Sequence, residues 1–248
     1  MTLDRLYYEL RLRWISLLLT PLLIVVATCL GVLLTLHFQK NTTLLFLLEL
    51  EVFLPLAAGV AAANLIAHEP ALELLLTMSR PHRVTGLLRL LLLLVWIACL
   101  AALSLCNALA FKLLDMPAFT QAWSPLALVL TSQLLWLVPL LWFIAVGCCL
   151  ALLTLSRTAG GTLLAAFWLI DILASHMIAE DIPWLKPIIL FAATMLIYPD
   201  VTGASATLVA DSWLTTRFEV LATAFILLLL CWLLFRNTER LLKGTTVE

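Results

Sequence analysis

Residues 64–89 read NLIAHEPALELLLTMSRPHRVTGLLR, a polar island between two long apolar runs, and the fold follows from what flanks it. The island carries Glu69 and Glu73 toward its start and Arg80, Arg83 and Arg89 toward its end. Upstream, residues 44–67 are apolar over a length that crosses a hydrocarbon core of about 30 Å at about 1.5 Å per residue. Downstream, residues 87–111 do the same. A soluble domain would have to hide both runs, and the chain as a whole offers too little polar surface to do so. Of its 248 residues 64% are hydrophobic and 12% charged, and its mean hydropathy is +1.13. Soluble domains run near 45–50% apolar and about 25% charged. The solvent for most of this chain is lipid.

Within the island, Leu72, Leu75, Leu76 and Met78 alternate with Glu69, Glu73, Ser79 and Arg80. Glu69 and Glu73 are four apart and share a helix face. Pro70 suits the first turn of a helix and Pro81 ends one. The pattern predicts a short amphipathic helix beneath the bilayer, acidic at its start and basic at its end. Resting on headgroups and docking a partner are both open to such a helix.

Further spans extend in both directions, over residues 15–36, 125–155, 158–177 and 218–235 in addition to 44–67 and 87–111. Residues 1–14 place Leu3, Leu6, Tyr7, Leu10 and Trp14 at helical spacing among Arg5, Arg11 and Arg13, the pattern of a helix lying in the interface. No small-residue cleavage site follows the first apolar run, so no cleavable signal is expected. Pro55 and Gly59 interrupt the second span, and Pro139 is a place for the fourth to kink. Ser156 and Arg157 form a tight turn. Residues 178–217 are irregular, and the apolar run 188–198 within them is too short to span, which suits a re-entrant or interfacial helix.

Six spans put both termini on one side, and basic residues orient the bundle. Ten of the fourteen Lys and Arg residues fall on the side of the termini, namely Arg5, Arg11, Arg13, Arg80, Arg83, Arg89, Arg157, Arg236, Arg240 and Lys243. Lys40, Lys112, Lys186 and Arg217 fall on the other. Both termini and the island are therefore expected in the cytoplasm, in a multi-pass protein of the cell (inner or plasma) membrane.

Several classes of chemistry have no residues to stand on. A formal net charge of -1 argues against nucleic acid as a partner. GxxxxGK[ST], HExxH and GxSxG are absent. The six cysteines, Cys29, Cys99, Cys106, Cys148, Cys149 and Cys231, lie in apolar runs without a CxxC pair, so they read as small apolar residues rather than as a zinc site or a disulfide framework. Ser175 and His176 are adjacent and do not share a helix face. Trp14, Trp123, Trp184 and Trp213 fall near span ends, as an aromatic belt would place them. The Asn41-Thr42-Thr43 triplet is a formal glycosylation sequon on the outer side.

Charge at membrane depth marks the candidates for a transport pathway, Asp171, Glu49 and Glu51. Asp171 lies well inside the fifth span, where it either lines a pathway or dimer seam or bonds to a Ser or Thr of a neighbouring helix. Glu49 and Glu51 stand near the outer end of the second span and point in different directions. Snorkelling to the outer interface is their expected role, with substrate contact as the alternative. Arg217 and Glu219 read as interface anchors.

The run from Glu69 through Glu73, Leu74–Leu76 and Ser79-Arg80-Pro81 to Arg89 resembles the pattern after the second span of ABC type-2 exporter permeases. That family shows an acidic residue, a Glu-Leu-Leu core, a turn with proline and arginine, and a basic residue leading into the third span. The order Ser79-Arg80-Pro81 departs from the family, which often carries the proline before the arginine. The resemblance extends to six spans, a cytoplasmic amphipathic N-terminal helix and a broken outer segment between spans five and six. It implies an all-α integral membrane protein forming a single transmembrane permease domain over residues 1–248. It implies that the island is the coupling helix, with Glu69, Glu73, Leu75, Leu76, Arg80 and Pro81 meeting a separate ABC ATPase subunit. Two permeases, identical or homologous, would then work with two ATPases. The chain itself is not an enzyme and holds no cofactor on this reading, since ATP and Mg belong to the partner. The apolar interior leans toward a hydrophobic or amphipathic solute moved out of the cytoplasm.

Two other functions are open to the same sequence. Asp171 and His176 in one span would suit a membrane enzyme or lipid-handling protein working without ATP. The outer segment 178–217 would suit a structural or sensory subunit that binds another protein and transports nothing.

Overall fold

The computed structural model describes residues 18–38, 42–66, 82–114, 124–181 and 206–235, without the side chains of 82–85, 157, 174–181 and 206–212. The amphipathic segment expected over 1–14, the island residues Glu69, Glu73, Leu75, Leu76, Arg80 and Pro81, the apolar run 188–198 and the tail from 236 lie outside the described residues. Every regular element that is described is helical. We label them α1 (Thr20–His37), α2 (Thr43–Ile66), α3 (His82–Ala110), α4 (Pro125–Thr154), α5 (Arg157–Asp181) and α6 (Ala206–Phe235).

Five of these, all but α5, are long and apolar enough to cross a membrane, and α5 contains a shorter apolar stretch, Thr158–Leu173. The described residues thus form an all-helical bundle of the kind a multi-pass membrane protein has. Successive helices run in alternating directions. The hydroxyl of Thr42, at the start of α2, donates to the carbonyl of Leu113 just past the end of α3 at 2.6 Å. At the opposite end of the bundle, Gly86 in the first turns of α3 lies against the ring of Phe235, the last residue of α6.

α2 and α4 form the centre. The apolar window of α4 is 67% buried and that of α2 61%, against 11% for α1 and 17% for α6. Their contact rests on two glycines. A Cβ on Gly59 would come within 2.6 Å of the Phe143 carbonyl oxygen, and a Cβ on Gly147 would collide with the carbonyl of Gly59. Two backbones approach this closely only where neither carries a side chain, the usual device of helices packing in lipid. α5 closes on α4 in the same way, with Gly160 set on the backbone of Ala151. Around the crossing, Trp142 and Phe143 of α4 and Leu164 of α5 are fully buried, and the Trp142 ring lies 5.8 Å from that of Phe167.

Local chemistry explains the breaks. Pro55 has no N–H and its ring crowds the carbonyl four residues earlier, that of Glu51. The helix answers by widening into a π-turn over Glu49–Phe53, closed by the Leu54 amide donating to the Glu49 carbonyl; such turns are a recognised relief of strain inside α-helices. In α4 the interruption falls at Gln133, between Pro125–Ser132 and Leu134–Thr154, rather than at Pro139. Thr131 and Ser132 return hydrogen bonds to the carbonyls of Ala127 and Val129, and hydroxyls bonded back in this way bend helices. The tight turn after α4 is made by Leu155 in the left-handed region, φ 56°. Ser156 then caps α5 by accepting from the Ala159 amide at 3.4 Å.

Three boundaries differ from the sequence expectation. α3 begins at His82 rather than at residue 87, α5 continues to Asp181, and α6 begins at Ala206, well before residue 218. Asp211 and Arg217 gave this stretch the polarity of a loop, and the helix carries Arg217 by burying it.

Candidate functional site

The polar residues inside the bundle gather in the half that holds the start of α2. Glu49 lies about 9 Å and Glu51 about 12 Å along α2 from Thr43, at about 1.5 Å per residue. Both are buried, at 1% and 0% exposure. They do not snorkel to the interface, and the reason is that each has a neighbour on a different helix. Two residues apart on a helix point to nearly opposite sides, and here both sides are occupied.

On one side, the Ser104 hydroxyl of α3 donates to Glu49 Oε1 at 2.6 Å. The second oxygen, Oε2, is buried without a hydrogen-bond partner among the described residues. On the other side, Glu51 Oε1 accepts from Arg217 Nη2 of α6 in a fully buried ion pair. The guanidinium also lies over the ring of Trp213, 5.2 Å from its centroid, a favourable placement for a cation over an indole face. Arg217 is therefore not an interface anchor, nor is Trp213, 7% exposed, part of an aromatic belt. Glu219, two residues on, is exposed.

Asp171 is turned into the bundle at 1% exposure. Its neighbours Ile170 and Leu173 face outward, at 57% and 74%. The carboxyl of Asp171 is thus shielded from lipid by its own protomer. Arg89, expected as the basic residue leading into the third span, is also folded inward, with 6% exposure. It lies at the opposite end of the bundle from Arg217, seven residues from the start of α3.

Apart from Arg89, the described residues of the other half of the bundle are largely apolar. A cavity of about 340 Å³ opens between α3, α4 and α6, with Leu87, Leu94, Ile144, Cys148, Cys231 and Trp232 among its walls. Beside it the sulfurs of Cys149 and Cys231 stand 2.8 Å apart. Residue spacing had paired neither cysteine with anything, because 82 positions separate them in the chain.

The site is built from buried polar groups that meet across helix interfaces. Among the described residues no group of three or more His, Cys, Asp and Glu side chains is placed to hold a metal ion. What is present is a buried ion pair, a singly bonded carboxyl and a further buried carboxyl, distributed over α2, α3, α5 and α6. Depth and charge marked Glu49, Glu51 and Asp171 in the sequence. Ser104 and Arg217 carried no comparable signal, since a serine in an apolar run and an arginine at its edge are both ordinary.

Comparison of the chain with protein-family models, with curated proteins and with solved structures finds no match.

Proposed function

We propose that the chain is the membrane-spanning permease subunit of an ATP-driven ABC type-2 exporter. In this reading it pairs with a second permease, and a separate ATPase supplies the energy to move a hydrophobic or amphipathic solute out of the cytoplasm. The observation that carries the reading is the sequence pattern of residues 69–89, with Glu69 and Glu73 four apart, Leu75 and Leu76 following them, and then Arg80 and Pro81.

The surrounding helices support a mechanical role for that segment. It joins the end of α2 at Ile66 to the start of α3 at His82. α2 is held against α4 by the glycine crossing and against α3 and α6 by its two carboxylates. A push delivered to residues 67–81 would therefore move α2 together with α4 as one body. The excess of Lys and Arg at this end favours the cytoplasm, where an ATPase would reach it.

Co-expression with an ABC ATPase subunit from the same genome tests the proposal. The expected result is a complex that survives purification and is lost on replacing Glu69 and Glu73 by Ala. A chain that purifies alone beside that ATPase, with the double variant behaving identically, would overturn it.

A further inference from the structure

A buried cysteine in an apolar helix is ordinarily inert. Cys149 of α4 and Cys231 of α6 differ in two respects. Their sulfurs stand 2.8 Å apart, and each thiol also approaches a carbonyl of the facing helix one turn earlier. Cys149 Sγ is 3.5 Å from the Leu227 oxygen, and Cys231 Sγ is 3.5 Å from the Ala145 oxygen. This reciprocal arrangement aims the two sulfurs at one another. A disulfide needs its sulfurs about 2.05 Å apart, so less than an ångström of closure separates the thiols from a bond.

The second respect is access. Cys231 lines the 340 Å³ cavity, as does Cys148, and Cys149 is reached through its contact with Cys231. Leu87, Leu91 and Trp232 border that cavity and are 50%, 53% and 45% exposed, so it opens sideways on the lipid-facing surface. Its lining is hydrocarbon and sulfur, which excludes water and admits apolar molecules.

The geometry points to Cys149 and Cys231 as a paired-thiol oxidation site, reached from the bilayer by an apolar hydroperoxide and closing to a disulfide that joins α4 to α6. In the first step the Cys231 sulfur attacks the terminal oxygen of the hydroperoxide. The O–O bond breaks, the alcohol leaves with the thiol proton, and Cys231 becomes a sulfenic acid. In the second step Cys149 Sγ attacks that sulfur, the S–S bond forms, and the hydroxyl departs as water with the Cys149 proton. Two thiols are oxidised and one hydroperoxide is reduced to an alcohol and water. The bond ties α6, the less buried helix, to the central α4 and forbids sliding at their contact. Reduction by a thiol restores motion.

The test uses the full chain in detergent micelles, kept reduced and then treated with cumene hydroperoxide. Denaturation, alkylation and peptide mapping without reduction read the product. The expected result is the loss of two alkylatable thiols of the six, recovered as one linked peptide pair joining Cys149 to Cys231 and released by dithiothreitol. Cys148→Ser keeps the link and Cys231→Ser abolishes it. Should Cys231→Ser fail to fold, the map of the native chain decides alone. Oxidation confined to the exposed Cys29, Cys99 and Cys106, with Cys149 and Cys231 still alkylatable, would overturn the site. The route through the cavity is read separately, by comparing cumene hydroperoxide with hydrogen peroxide, each scaled to its rate with glutathione. A cross-link that forms faster with the apolar reagent supports the route; equal or reversed rates refute it.

Discussion

In the first half of α2, Glu49 and Glu51 are buried against Ser104 of α3 and Arg217 of α6; in its second half, Gly59 sets backbone on backbone with Gly147 of α4. One helix is thus held by charge and hydrogen bonding along one length and by the absence of side chains along the next. The two modes respond to damage differently. A charge contact fails when one partner is removed, because the other is left in a medium that cannot solvate it. A backbone contact fails when anything is added, because a close-packed crossing has no space to give.

The largest effect is expected from the ion pair. Arg217→Ala or Glu51→Ala leaves a buried charge uncompensated and should cost about 3–5 kcal/mol, read as a lower midpoint of unfolding in mixed micelles. Combining Glu51→Gln with Arg217→Met removes both charges at similar volume and should recover most of that loss. A double variant as unstable as either single one would mean that the pair does more than balance its own charge.

Adding one methyl at the crossing comes next. Gly147→Ala should cost about 1–3 kcal/mol through overpacking, measured in the same assay. Gly161→Ala is the control. Its Cβ would meet only Val60 Cγ1 at an ordinary 3.7 Å, so the higher helix propensity of alanine should stabilise by about 0.5–1 kcal/mol. Equal losses at the two glycines would remove the argument for close approach at Gly147.

The smallest change is expected at Ser104. Ser104→Ala deletes one hydrogen bond to Glu49 and should cost about 1 kcal/mol. Glu49→Gln keeps a side-chain oxygen for Ser104 to donate to while removing the charge, and should unfold no earlier than the native chain. A large loss in Glu49→Gln would assign the carboxylate a partner beyond Ser104.

Much of the architecture was legible because hydropathy is a local property. The apolar runs placed α2, α3 and α4 to within a few residues at most of their boundaries, and Pro55 marked the turn where α2 widens. Local polarity also misled. Asp211 and Arg217 made the first half of α6 read as loop, since a run-based reading has no means of crediting Arg217 with a partner on α2. The same limit turned Glu49 and Glu51 outward on paper. Their position near a span end suggested snorkelling, whereas the neighbours that bury them come from α3 and α6.

The sequence by itself determined a helical, multi-pass chain, the approximate places where it turns, and the polar island between its second and third spans, because each depends on residues close together. The tertiary structure alone decided which polar groups meet. Glu51 and Arg217 are 166 positions apart and Cys149 and Cys231 are 82 apart. Contacts of that range depend on how helices cross and rotate, and a crossing set by Gly59 and Gly147 fixes them only once the whole bundle is packed.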